Sequence, residues 1–110
     1  MKRDKYLNKF VNFCKKEFRD NLLTIVVYGS YIRGYFDRKK SDYDVIIIFK
    51  NKIPSKLYIG RINQLFPKIT LQYFTNKKGI LKLIREGHWS VYAVLLKGSK
   101  IIYGGKGWES

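Results

Sequence analysis

Residues 22–49 read LLTIVVYGSYIRGYFDRKKSDYDVIIIF, and the fold turns on this stretch. Leu22 to Tyr28 is a continuous apolar run rich in β-branched residues, the pattern of a strand covered on both faces. Gly29 ends it, and Ser30 is a good N-cap for a short helix over about 31–36. Asp37 to Ser41 is a basic turn. Asp42 and Asp44 then open a second strand, 42–49, in which Val45 to Phe49 is again apolar on both faces.

The flanking sequence supplies helices to cover such strands. Over 4–19, Tyr6, Leu7, Phe10, Val11, Phe13, Cys14 and Phe18 recur at three- and four-residue intervals, an amphipathic helix that Asp4 can cap. Cys14 falls on its apolar stripe and reads as a small buried hydrophobe. Pro54 and Ser55 start a helix through Leu57, Ile62 and Leu65, and Pro67 marks its end. Residues 68–75 (KITLQYFT) read as a third strand. Asn76 caps a helix over 77–86 with Ile80, Leu81, Leu83 and Ile84 inward, and Gly87 ends it in a left-handed conformation. Residues 88–97 are ambiguous between helix and strand, 100–103 form a short final strand, and 104–110 look like a glycine-rich flexible tail. Alternating helices and strands give an α/β fold: one domain over 1–110, a small sheet with helices packed against it.

Twenty-three Lys and Arg against 8 Asp and Glu give a net charge of +15 and a pI near 10. Such a field attracts polyanions, nucleic acid or nucleoside triphosphates. It also reads as general surface charge, since the lysines are spread over most segments. A single cysteine excludes an intrachain disulfide or a zinc cluster and suits a reducing cytoplasm. The N-terminal segment lacks the uninterrupted apolar run of a signal peptide, and no run approaches a bilayer span. A cytoplasmic protein without membrane contact is expected.

Gly29 and Ser30, between a strand and a helix, place backbone N–H groups and a hydroxyl where a phosphate can bind. Asp42 and Asp44 are two apart on a strand, so both carboxylates can converge on one hard cation such as Mg²⁺, which shares oxygen ligands between carboxylates and phosphates. The plainer alternative makes Asp42 a turn residue and pairs Asp44 with Arg38 or Lys40. His88 beside Trp89 suits base stacking or simple packing at a helix start. Tyr28, Tyr31, Tyr35 and Tyr43 can stack on a base or line a pocket wall.

Gly29-Ser30, Arg33-Gly34 and Ser41-Asp42-Tyr43-Asp44 together resemble the GS-x-x-RG, then SD-x-D, signature of the minimal nucleotidyltransferases of the DNA polymerase β superfamily. Residues 83–104 resemble the end of that minimal domain less specifically. The resemblance implies a mixed sheet flanked by helices. It also implies Mg²⁺- or Mn²⁺-dependent transfer of a nucleoside monophosphate from a nucleoside triphosphate, with ATP the expected substrate. Gly29 and Ser30 would hold the β- and γ-phosphates, and Asp42 and Asp44 the metals. Arg33 would lie near the phosphates or in solvent. Two such metals activate the attacking hydroxyl and neutralise the leaving pyrophosphate.

The sequence departs from that pattern at one place. Active members carry a third carboxylate on the next strand, and the corresponding stretch here, 69–74, presents Thr70 and Gln72 on one face instead. Loss of a general base costs roughly 10²- to 10⁴-fold in rate. Three functions follow as expectations. The first is nucleotidyl transfer to an acceptor, a protein among the possibilities. The family's small stand-alone members imply a helical toxin-type partner, with this chain as the antitoxin of a toxin–antitoxin pair, or a homodimer that completes the acceptor site. The second is a catalytically impaired regulator that binds nucleotide or partner. The third is a basic nucleic-acid-binding module.

Overall fold

The two apolar runs of the opening stretch lie side by side at the centre of a four-stranded sheet. The computed structural model describes residues 5–28, 43–87 and 99–104. Helix α1 (Lys5–Phe18) leads through one 3-10 turn (Arg19–Asn21) into β1 (Leu22–Tyr28). Then come β2 (Tyr43–Phe49), α2 (Leu57–Leu65), β3 (Ile69–Asn76), α3 (Lys77–Arg85) and β4 (Ser99–Gly104). The sheet order is β3-β2-β1-β4. β1 is antiparallel to both β2 and β4, whereas β2 and β3 are parallel. A parallel pair needs a crossover instead of a hairpin, and the segment containing α2 supplies it. This is the mixed sheet flanked by helices that the sequence led us to expect.

Period-two alternation divides the sheet's side chains between two cores. On one face Ile25, Val27, Val45, Ile47 and Phe49 pack with Leu7, Phe10, Val11, Cys14 and Phe18 of α1 and with Ile62 of α2. On the other, Val26, Ile46 and Ile48 pack with Ile80 of α3, and Leu81, Leu83 and Ile84 join at the margin. Rings tie the first core together: Phe18 meets Phe49 edge-on at 4.9 Å, and Phe49 meets Phe74 at 4.9 Å. Such pairs add about 1 kcal/mol each beyond the area they bury. Burial pushes the Cys14 thiol up to about 12, so at neutral pH it is a protonated apolar group, as its place on the stripe indicated.

Element ends follow identifiable chemistry. α1 stops at Arg19, which takes a left-handed φ of 47°. Ser55 Oγ accepts from the backbone N–H of Leu57 at 3.2 Å, and the helix predicted from Pro54 onward starts at Leu57, with Lys56 at its N-cap position. Asn76 Oδ1 accepts from Gly79 N at 2.8 Å and caps α3, while its Nδ2 donates to Asn51 O at 2.7 Å. Asn21 holds the same loop from the other side, donating to Lys52 O at 2.7 Å and accepting from Asn51 N at 3.1 Å. Gly87 has φ 81°, the left-handed ending foreseen for it. β4 includes Gly104, which the sequence reading had placed in the tail. The helix expected over 31–36, the segment 88–97 and the tail beyond Gly104 lie outside the described residues.

Candidate nucleotide and metal site

Alternation along β2 puts Asp44 on the same side as Ile46 and Ile48, the side covered by α3. Asp44 is half-buried, and the next five residues are all buried. The apolar remainder of β2 therefore fixes the strand's face and register, and with them the position of this carboxylate.

Both flanking strands meet Asp44 in register. Its partner on β1 is Tyr28 and its partner on β3 is Thr70. Tyr28 immediately precedes Gly29 and Ser30 in the chain, so the backbone of Asp44 stands across from the last residue before that pair. On the β2 side of the centre, Tyr43 is buried, and its ring stacks on Tyr6 at 5.4 Å with planes 9° apart. The Tyr6 hydroxyl accepts from Lys68 N at 2.9 Å, and Tyr43 N donates to Lys68 O at 2.8 Å. Tyr43 is thus a core residue that anchors the start of β2, which leaves Asp44 projecting from a fixed backbone. Gly29, Ser30, Arg33 and Asp42 lie outside the described residues, as do Arg38, Lys40, His88 and Trp89.

Thr70 and Gln72 do share a neighbourhood with Asp44, and the backbone explains how. β3 breaks register beside β2: Leu71 pairs with Val45 and Tyr73 with Ile46, leaving Gln72 as the extra residue of a bulge. Leu71 packs in the α1 core and Tyr73 in the α3 core. The bulge aims Gln72 at Asp44, and its Nε2 donates to Asp44 Oδ1 at 3.4 Å. The contact is long for an N–H···O bond, whose usual length is about 2.9 Å, so it is a weak restraint. Periodicity in the sequence foretold that Thr70 and Gln72 would share a face. The bulge left no sequence signal, because it is a property of the pairing.

A divalent ion fits these groups in part. Asp44 offers carboxylate oxygens, and a glutamine can offer only a neutral carbonyl oxygen beside them. Among the described residues no three His, Cys, Asp or Glu side chains cluster as a metal site. Two grooves, of about 330 and 260 Å³, open at the other end of the sheet, between Glu17 of α1 and Ser55 and Tyr58, the smaller one also lined by Arg61. Neither touches Asp44, Thr70 or Gln72. Among the described residues no helix is long and apolar enough to cross a membrane.

Comparison with known proteins bears on the family and the fold. Residues 7–99 match a family model described as a nucleotidyltransferase domain. Two Methanocaldococcus jannaschii proteins, each named as a candidate protein adenylyltransferase, are similar in sequence. One is 24% identical over 107 residues, covering 94% of this chain and 100% of the relative. The other is 42% identical over 45 residues, covering 41% of this chain and 30% of the relative. Among solved structures, a spectinomycin adenyltransferase from Enterococcus faecialis with ATP and spectinomycin superposes with a TM-score of 0.64 at 13% identity, over 96% of this chain and 57% of that one. A toxin–antitoxin structure with AMP-PNP gives a TM-score of 0.57 at 17% identity, over 90% of this chain and 73% of that one. At these identities the structural likeness is one of fold.

Proposed function

Because this chain belongs to the nucleotidyltransferase domain family, we propose that it transfers a nucleoside monophosphate, with ATP as donor, to a hydroxyl of a protein partner. The observation that carries this reading is the register that sets Asp44 across from Tyr28, the last residue before Gly29-Ser30. It is the juxtaposition that a metal-bound triphosphate needs: phosphate oxygens at the Gly-Ser turn and a carboxylate beside them. Gly29 and Ser30 hold the β- and γ-phosphates, Arg33 neutralises charge near them, and Asp42 and Asp44 hold Mg²⁺ or Mn²⁺. The metal supplies charge neutralisation at the α-phosphate and the leaving pyrophosphate. In the transfer, the acceptor oxygen bonds to the α-phosphorus as the bond to the bridging oxygen of the β-phosphate breaks. Pyrophosphate leaves, and the acceptor's proton passes to a carboxylate or to water.

The names of the Methanocaldococcus relatives and the toxin–antitoxin neighbour support a protein acceptor. We place the chain in that setting as the antitoxin, its acceptor supplied by a helical partner or by a second copy. Incubation with α-labelled ATP, Mg²⁺ and the candidate partner tests it. Label should move to the partner, and Asp44→Asn should cut that transfer by at least about 10²-fold. Transfer that survives in Asp44→Asn would overturn the assignment.

The Gln72–Asp44 contact favours one further reading, a regulator that binds nucleotide and partner without turning over. Saturable ATP binding with no label transferred to any partner would select it.

A further inference from the structure

We infer that the outer face of α2 is a docking surface for an acidic amphipathic helix of another protein. The inference goes beyond the nucleotidyltransferase reading and does not depend on it, because α2 packs through Ile62 into the α1 core, on the sheet face opposite Asp44. Three observations converge on this face. Among the described residues the exposed large hydrophobics are Ile53, Leu57 and Leu65, at 40%, 84% and 51% exposure, all between positions 53 and 65. Ile53 lines the larger of the two grooves and Leu57 the smaller, and Glu17 and Tyr58 line both. Gly60 stands in the middle of the helix, with nothing within 4 Å of the place a Cβ would take.

Within α2 only Ile62 is buried, with Tyr58 and Ile59 half-buried beside it. Leu57, Gly60, Arg61 and Gln64 are exposed. They follow the i, i+3, i+4, i+7 spacing of one helix face, and Leu65 lies at its edge. One exposed leucine needs no explanation, whereas apolar residues gathered on one segment mark a contact surface. Glycine is among the least favourable residues in a helix interior. The φ of Gly60 is not left-handed, and nothing inside the chain needs the space, so alanine would serve α2 better. The glycine leaves a notch in the row of side chains between Leu57 and Gln64, and such a notch seats a ridge of a second helix. Charge selects that helix. Lys52, Lys56 and Arg61 are exposed around the stripe, against one half-buried carboxylate, Glu17. A second copy would bring the same cations and another +15. A helix face about 13 Å long also falls short of the roughly 800 Å² per partner that a stable dimer buries. An anionic bilayer would suit the cations but has no side chains to seat in the grooves. Apolar residues at three- and four-residue spacing with carboxylates beside them match stripe, notch and charge together.

The probes are two fluorescein-labelled synthetic helices of about 18 residues, long enough to hold helical structure in water. One carries leucines at three- and four-residue spacing flanked by glutamates, and the other has lysine in place of every glutamate. Fluorescence anisotropy with the full chain should give a Kd on the order of 10 µM for the glutamate peptide and binding at least about tenfold weaker for the lysine peptide. Leu57→Gln should weaken the glutamate peptide by about tenfold. Gly60→Gln should do the same while raising the melting temperature by about 2–4 °C, since glutamine is the better helix former. A purely structural role for Gly60 does not separate binding from stability in that way. Neither substitution alters charge, so the general field of the chain cannot produce these losses. Absence of saturable binding, equal affinity in the wild type, Leu57→Gln and Gly60→Gln, or equal affinity for the two peptides would overturn the inference. Binding to phosphatidylserine vesicles that is lost in Leu57→Gln, with the peptide left free, would give the face to a membrane instead. A dimer seen in sedimentation and lost in Leu57→Gln would give it to a second copy. ATP takes no part in these measurements, so their failure and a failure of label transfer are read separately.

Discussion

Single residues matter most visibly at the two ends of β1, one end tight and the other loosely held. Gly104 has φ 77°, and a Cβ there would point into the carbonyl oxygen of Leu23. Any side chain thus meets both a disfavoured backbone conformation and a fixed backbone atom. Gly104→Ala should destabilise the protein by about 2–3 kcal/mol, read as a lower urea midpoint at unchanged slope. Beside it, Thr24 is buried, and its Oγ1 donates to Tyr103 O at 2.7 Å, so this end of the β1–β4 pair is satisfied as well as tight. At the other end of β1, Tyr28 faces Asp44, whose carboxylate the bulge supplies with a single amide. A glycine closing a run of Ile and Tyr looked like the start of a tail. Its conformation depends on Leu23, some eighty positions away, which no local pattern contains.

At the scale of elements, the legible parts were those whose burial is one-dimensional. β1 and β2 are continuous apolar runs, and α1 has an unbroken stripe, so their spans were read to within a residue. α3 was also anticipated down to its cap, because Asn followed by a glycine-containing amphipathic segment has few other uses. That cap also serves the loop after β2 through Asn76 Nδ2 and Asn51 O. Asn76→Ala should therefore cost about 1–2 kcal/mol, at the upper end for a helix cap, whereas Asn76→Ser should recover about half by restoring only the bond to Gly79. Thermal melts of the two variants check this. The bulge in β3 was not legible for the opposite reason. KITLQYFT alternates imperfectly, and imperfect alternation is as consistent with a loose edge strand as with an extra residue. What distinguishes them is that Tyr73 must reach Ile80 and Ile46 while Leu71 reaches the α1 core.

For the molecule as a whole, charge and architecture make separate demands. Of the net +15, the exposed Lys5, Lys9, Lys15 and Lys16 all sit on α1, which covers the face of the sheet opposite Asp44. Exposed Lys78, Lys82 and Arg85 on α3 add positive charge on the Asp44 side as well, so the field spans both faces of the sheet. Binding to a short RNA should fall steeply between about 50 and 200 mM salt and be the same in Asp44→Asn as in the wild type. A flat salt response, or RNA binding lost with Asp44, would show that the charge serves the nucleotide site alone. Fold and family were legible from residues 22–49, while the meeting of Gln72 with Asp44 needed the pairing of β2 with β3. That pairing has a hereditary side. Glutamine and glutamate codons differ in their first base alone, and the bulge that directs residue 72 toward Asp44 belongs to the backbone. A carboxylate beside Asp44 therefore lies a single base substitution away, with no rebuilding of the sheet.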